Sequence, residues 1–318
     1  MNEKIKINVT SYLYRIIQYD ALRFGFKDDN FKINYNLLLN TIIKNYYQFY
    51  KDIKGKYYYI FQNDSLLFHN LITSYILKNN DNDEPLDYSF TIRPTKQTIN
   101  TFIDIEQNEL AKISLSNFIR NMLIQFSSLK IYEKEKLLFI EKYDEINLAI
   151  KSKKRLFIIT KNSEFYFDCL KMCQSPDDEH NYLIGKIYFD SNTTLGCIKL
   201  STIKNLATTS YNLNITDDEI NIIKTTIPKG IQFIGQNPVT AKIKFTDGGL
   251  KMYDKCYNDR PIYVSFDKEN NIMIFNNSID HLFIYLKQFG RHAIVLEPVE
   301  LRDRLKDFFK KANTEYNI

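Results

Sequence analysis

A chain of 318 residues with 44% hydrophobic residues is long enough for two or three domains with separate cores, and too apolar to be disordered. No apolar run reaches the roughly 18 residues that span a bilayer, and the charged start (Glu3, Lys4, Lys6) lacks a secretory leader, so a cytoplasmic location is expected. The net charge of +5 is modest but uneven: residues 1–60 hold ten Lys or Arg against five Asp or Glu, so the whole basic excess lies there. That placement points the N-terminal end toward a polyanion; a randomly basic surface is the alternative.

A short module occurs twice in the first 130 residues. Lys4-Ile5-Lys6-Ile7-Asn8-Val9 alternates polar and apolar residues, as one half-buried strand does. Thr10 can cap a helix over about 11–25, with Leu13, Ile16, Ile17, Ala21 and Phe24 as its stripe and Gly25 as its end. A second helix near 34–50 places Leu38, Leu39, Ile42, Ile43, Tyr46 and Phe49 on one face. Residues 56–80 suggest a Tyr-rich helical insertion, and Asn79–Glu84 a linker. Tyr88-Ser89-Phe90-Thr91-Ile92-Arg93 then repeats the strand pattern, and Pro94 closes it. Helices near 95–108 and from Ser114 or Ser116 onward follow, the last with Phe118, Ile119, Met122, Leu123 and Phe126 inward. A lone strand with one apolar face lacks partners for its backbone, so the two copies are expected to pair as a ribbon over four helices. The outward side chains are then Lys4, Lys6 and Asn8 on one strand and Ser89, Thr91 and Arg93 on the other, suited to base edges in a major groove. Asn34 and Ser114, at the starts of the second helices, are the expected phosphate contacts.

This strand–helix–helix unit resembles the ribbon-helix-helix family of DNA-binding proteins over residues 3–50 and 87–128. In that family two chains each donate one strand. The duplication here implies that one chain makes the whole ribbon as a pseudo-dimer with unlike halves.

After a charged helical connector at 130–142, five strands are expected: Ile146–Ile150, Arg155–Thr160, Glu164–Met172, His180–Tyr188 and Gly196–Leu206, forming a small curled antiparallel barrel. Asn181-Tyr182-Leu183-Ile184-Gly185 and Ile198-Lys199-Leu200-Ser201-Thr202-Ile203 resemble the WYL domain, an Sm-like barrel of bacterial regulators, with Asn181 where that family has Trp. The resemblance implies a ligand pocket, assigned here to Arg155, Tyr166, Tyr182, Lys186, Lys199 and Ser201. Toward the C-terminus, Gly290-Arg291-His292-Ala293-Ile294-Val295-Leu296-Glu297-Pro298-Val299-Glu300-Leu301-Arg302 resembles the extension that follows many WYL domains. Strands at Val239–Phe245 and Ile272–Phe275, a helix near 278–289 and a terminal helix through Leu301, Leu305, Phe308 and Phe309 complete an α+β pattern, and the resemblance implies a homodimer. Glu297-Pro298 and Arg302 are expected to serve a fixed turn and a surface ion pair.

The expected fold class is therefore α+β multidomain: a mostly α tandem ribbon-helix-helix module at 1–129, the connector at 130–142, an Sm-like β-barrel at 143–212 and an α+β C-terminal extension at 213–318. No enzyme is expected. The four histidines (69, 180, 281, 292) lie in no metal or nucleophile motif, Gly248-Gly249 is expected to be a turn, and Asp177-Asp178-Glu179 a solvated loop. Cys169, Cys173, His180 and Cys197 fit no standard zinc spacing, so buried thiols are expected and neither a metal nor a cofactor. Three functions stay open. One is a transcriptional regulator that reads duplex DNA with the ribbon and senses a ligand in the barrel. The second is a single-stranded RNA-binding accessory protein of a type VI CRISPR system, a role found among ribbon-helix-helix–WYL proteins, in which Tyr166, Tyr182 and Tyr188 with Lys153, Lys154, Arg155 and Lys199 hold unpaired bases. The third is a scaffold. No membrane partner is expected.

Overall fold

A computed structural model describes residues 4–60, 84–110, 113–176, 178–189, 192–236, 238–256 and 260–316. The chain is α+β, with antiparallel sheets, and divides into two compact units. One comprises residues 1–145 with 200–205, the other residues 146–199 with 206–318.

The first unit begins with β1 (Ile5–Val9) and α1 (Ser11–Arg23), capped by the Thr10 hydroxyl, which accepts the Leu13 amide. Gly25 follows α1 at φ 79°, a left-handed conformation that glycine adopts without a Cβ clash. Next come α2 (Tyr35–Ile60), β2 (Tyr88–Ile92), α3 (Ile99–Asn108) and α4 (Leu115–Ser128). The predicted insertion at 56–80 begins as the last turn of α2; beyond Ile60 it lies outside the described residues, as does the linker up to 83. β1 and β2 pair antiparallel, with Ile7 opposite Phe90 at the centre. Ile7, Val9, Phe90 and Ile92 are buried in one core with Leu13, Ile17, Leu39, Ile43, Phe102, Ile119 and Phe126 from all four helices. At about 1.5–3 kcal/mol per buried large apolar side chain, the ribbon's inner face alone contributes several kcal/mol. The predicted connector is two helices, α5 (Ile131–Leu138) and α6 (Ile140–Lys151).

The expected strand at Ile146–Ile150 is instead the last part of α6. Ile146 and Ala149, three apart, are both buried there, so the period is helical, not two. In the second unit β3 (Lys154–Ile159), β4 (Glu164–Gln174), β5 (Asn181–Tyr188) and β6 (Thr193–Lys199) form successive antiparallel pairs. The predicted strand Gly196–Leu206 does not exist as one piece: β6 ends at Lys199, a 3-10 turn covers Leu200–Thr202, and β7 (Asn205–Asn212) begins beyond it. β7 escaped notice because it is an edge strand, largely exposed, with Asn, Thr and Ser where a core strand alternates. The order β6-β5-β4-β3-β7 leaves β6 and β7 as edges of an open sheet, not the closed barrel expected. A bulge at Cys169–Lys171 in β4 lets Gly185 approach so closely that a Cβ there would lie 1.9 Å from the Asp168 carbonyl oxygen.

Past α7 (Asp217–Thr226), a second sheet has the order β11-β8-β10-β9, from β8 (Pro238–Phe245), β9 (Tyr263–Asp267), β10 (Ile272–Ser278) and β11 (Ala293–Glu297). Ala241, Ile243, Phe245, Met273, Phe275 and Val295 form a core with side chains of α8 (Asp247–Lys255), α9 (Ile279–Leu286) and α10 (Val299–Glu315). Gly248-Gly249 is not a turn but the first turn of α8, capped by the Thr246 hydroxyl. A side chain at Gly249 would strike the His292 carbonyl at 2.2 Å, so glycine permits the approach. The Glu297–Pro298 peptide is cis, Glu297 pairs with Lys242 at 3.1 Å, and Arg302 lies 4.0 Å from Asp303.

Candidate nucleic-acid interface

The ribbon's outer face carries the residues expected of it. Lys6 stands opposite Thr91 and Asn8 opposite Ser89, all exposed; continuing the register one step sets Lys4 opposite Arg93. The three cations thus gather at one end and the neutral amide and hydroxyl at the other. Lys4, Lys6 and Arg93 have no carboxylate partner among the described residues, so their charge remains available to an anion.

Each strand is held by the second helix of the other copy. The Ser116 hydroxyl donates to the Lys6 carbonyl at 2.9 Å, and Arg120 Nη1 donates to the Asn8 carbonyl at 3.2 Å, both from α4. On the opposite edge Asn36 Oδ1 accepts the Arg93 amide at 2.8 Å, and Asn40 Nδ2 donates to the Arg93 carbonyl at 3.0 Å, both from α2. Asn34 and Ser114 are the caps of these helices: Asn34 Oδ1 accepts the Leu37 amide at 3.0 Å, and Ser114 Oγ the Asn117 amide at 3.3 Å. The strand-holding residues therefore fall two and six positions past each cap, Asn36 and Asn40 in one copy, Ser116 and Arg120 in the other. Sequence reasoning missed them, although their equivalent spacing after the two caps was a usable signal. The helix caps thus flank the ribbon, one on each edge, where first-turn amides have no intrahelical acceptor.

The predicted ligand-pocket residues fall into separate groups: Arg155 and Lys186 lie over the same Tyr188 ring, at 3.8 and 5.7 Å, and Tyr182 and Lys199 meet at Asp178. Arg155 is clamped to Asp168, Nε to Oδ1 at 2.7 Å and Nη2 to Oδ2 at 3.1 Å, and its guanidinium stacks over Tyr188 at 3.8 Å. Asp168 also accepts the Tyr188 hydroxyl at 2.7 Å and the Asn214 amide at 2.8 Å. Burial opposes ionisation of Asp168, but the bonds from Arg155, Tyr188 and Asn214 outweigh it and lower its pKa. Lys186 pairs with Glu219 at 2.7 Å. Lys199 pairs with Asp178 at 2.7 Å, and the Tyr182 hydroxyl donates to the same carboxylate at 2.7 Å. Although burial works against it, the hydrogen bonds from Lys199 and Tyr182 hold Asp178 down to about 2. Asp178 is thus a paired carboxylate and not the solvated acid expected of the loop; Asp177 lies outside the described residues. Tyr166 is 40% exposed and packs near Phe157 and Tyr211. Ser201 belongs to the first unit, where its amide donates to the buried Glu135 carboxylate at 3.1 Å.

Among the described residues no group of three or more His, Cys, Asp or Glu is placed to hold a metal ion. Burial raises the thiol of Cys169 and lifts that of Cys197 to about 11, so both are protonated at neutral pH. No described helix is long and apolar enough to cross a membrane.

No protein-family model matches the chain. No curated protein matches it. Among solved structures, a crystal structure of a CRISPR Cas-related protein superposes with a TM-score of 0.77 at 15% identity, covering 100% of this chain and 95% of that one. That likeness is one of fold, and it extends over the whole chain. Proteasome accessory factor B/C of Arthrobacter aurescens matches at a TM-score of only 0.29 with 13% identity, over 74% of this chain and 40% of that one.

Proposed function

We propose that the chain is a non-catalytic nucleic-acid-binding regulator whose ribbon, of ribbon-helix-helix type, enters the major groove of duplex DNA. The observation that carries this reading is the outer face of the pair, where Lys4, Lys6, Asn8, Ser89, Thr91 and Arg93 stand exposed between two capped helix N-termini. A lysine or arginine at a guanine edge, or an asparagine at adenine, each contributes on the order of 1–3 kcal/mol of discrimination. With the cations at one end, each ribbon favours an asymmetric half-site, guanine beneath Lys4, Lys6 and Arg93 and adenine beneath Asn8. Asn34 and Ser114 hold the helix starts that meet the flanking phosphates. In this reading the five-stranded open sheet serves as the WYL-type sensory element, and the C-terminal sheet joins two chains as a homodimer.

A second reading, single-stranded RNA binding in a CRISPR context, is favoured by the whole-chain likeness to a CRISPR Cas-related protein. Titration of duplex DNA and single-stranded RNA at two salt concentrations separates the two. Tighter, sequence-dependent binding of duplex supports ribbon readout. Preference for unpaired RNA that is insensitive to ribbon substitutions transfers the function elsewhere in the chain.

A further inference from the structure

A cleft of about 480 Å³ lies in the first unit, beneath the ribbon's own supports. It is bounded by α2 (Leu37, Asn40, Thr41, Lys44), the segment that follows β2 (Thr95–Thr98), and the junction of α5 and α6 (Leu138–Lys142). Its charge is unbalanced: Lys44, Lys96 and Lys142 line it, against a single acid, Glu141, which pairs with Lys44 at 2.9 Å and is itself mostly exposed.

Lys142 is the unusual member. Its ammonium donates to the Ile203 carbonyl and sits 5.0 Å from the centre of the Phe139 ring, with no carboxylate partner among the described residues. Burial lowers its pKa, with no acid to oppose that loss of hydration. A desolvated cation without a counter-charge is costly, and a bound anion removes that cost. Lys96 is exposed and likewise has no ion pair among the described residues. Thr98 and Asn40 also line the cleft with their donors already engaged: the buried Thr98 hydroxyl donates to Asn40 Oδ1 at 2.5 Å, and Asn40 Nδ2 donates to the Asn36 carbonyl at 2.8 Å and the Arg93 carbonyl at 3.0 Å, so the lysines supply the contacts to an anion.

We propose that this cleft is a binding site for a phosphate group, held by Lys142, Lys44 and Lys96, and that Asn40 connects its occupancy to the Arg93 end of the ribbon. The site is distinct from the groove-reading face, and its existence does not depend on what the ribbon reads. The phosphate can belong to a small phosphorylated molecule or to the backbone of a bound nucleic acid.

Pyrophosphate is a suitable probe, titrated by calorimetry into the full chain at constant ionic strength, beside the K142M variant. Methionine keeps the packing of the lysine stem and removes the charge. K142M orphans no acid but does remove the donor to the Ile203 carbonyl, so its melting temperature is recorded without ligand and binding is compared at a temperature where both proteins are folded. The expected result is saturable one-to-one binding by the wild type, weakened at least tenfold in K142M, with a pyrophosphate-dependent rise in melting temperature seen in the wild type only. If K142M leaves the salt dependence of nucleic-acid binding unchanged, the cleft takes a small phosphorylated molecule. A salt slope reduced by about one unit in K142M assigns the phosphate to the nucleic-acid backbone. Equal pyrophosphate affinity in K142M and wild type overturns the proposal, and so does an absence of wild-type binding at millimolar pyrophosphate.

Discussion

Replacing Arg155 by methionine distinguishes a guanidinium that serves the fold from one kept for a ligand. The Asp168 side chain is 0% exposed and that of Arg155 17%, so the pair sits almost wholly out of water. The substitution keeps most of the stem's packing but removes the two bonds at 2.7 and 3.1 Å. The carboxylate is left with the Tyr188 hydroxyl and the Asn214 amide as donors. Removing one partner of a buried ion pair costs about 3–5 kcal/mol, and the two surviving hydrogen bonds place R155M near the lower end of that range. The double variant R155M/D168N takes away the orphaned charge while preserving an acceptor for Tyr188 and Asn214, and should recover more than half of the loss. Since the chain contains 23 tyrosines and no tryptophan, urea unfolding followed by tyrosine fluorescence suits the measurement. R155M within about 1 kcal/mol of wild type, or a double variant no more stable than the single one, would refute the assignment of this arginine to the fold.

Three further outcomes follow from the packing. Lys134 and Asp20 pair at 2.8 Å with side chains 6% and 5% exposed, and K134M should lower stability by about 3–5 kcal/mol in chemical denaturation, whereas a loss below 1 would show that water reaches the pair. Asp178, held down to about 2 from 3.8, stabilises the fold fully above about pH 5 and progressively less as pH falls toward 2. In acid melts D178N should therefore be less stable than wild type at pH 6 and converge on it near pH 2; parallel curves across that window would contradict the pairing. Gly185→Ala must force β4 and β5 apart at the bulge and should cost on the order of 1–3 kcal/mol in thermal or urea unfolding, while a neutral result would mean that the bulge yields freely.

The N-terminal unit was largely legible because its signals are periodic. Alternation at Ile5–Val9 and Tyr88–Ile92 fixed which faces turn inward, and caps at Thr10 and Ser114 marked helix starts. Strand pairing across 80 residues followed only from the need of each lone strand for a partner. Other elements left weak marks. β7 is polar along its length because it lies at a sheet edge, and Ile146–Ile150 reads equally as strand or helix over five residues. Gly248-Gly249 suggested a turn because glycine is a poor helix former, yet the close approach of the His292 carbonyl requires it at position 249. Composition likewise carries no record of the partners that Arg155, Lys186 and Lys199 take, namely Asp168, Glu219 and Asp178. Conversely, Asn36, Asn40, Ser116 and Arg120 looked like ordinary helix-surface residues until the strands they hold were in place.

The most direct measurement is selection of bound sequences from a random duplex pool by the wild type and by K6A/R93A, with affinities then measured on the enriched site and on a scrambled one. Ribbon readout predicts an asymmetric half-site enriched by the wild type, and a double variant whose affinity for that site falls to its affinity for the scrambled duplex. The same enriched motif and the same discrimination in K6A/R93A would contradict it.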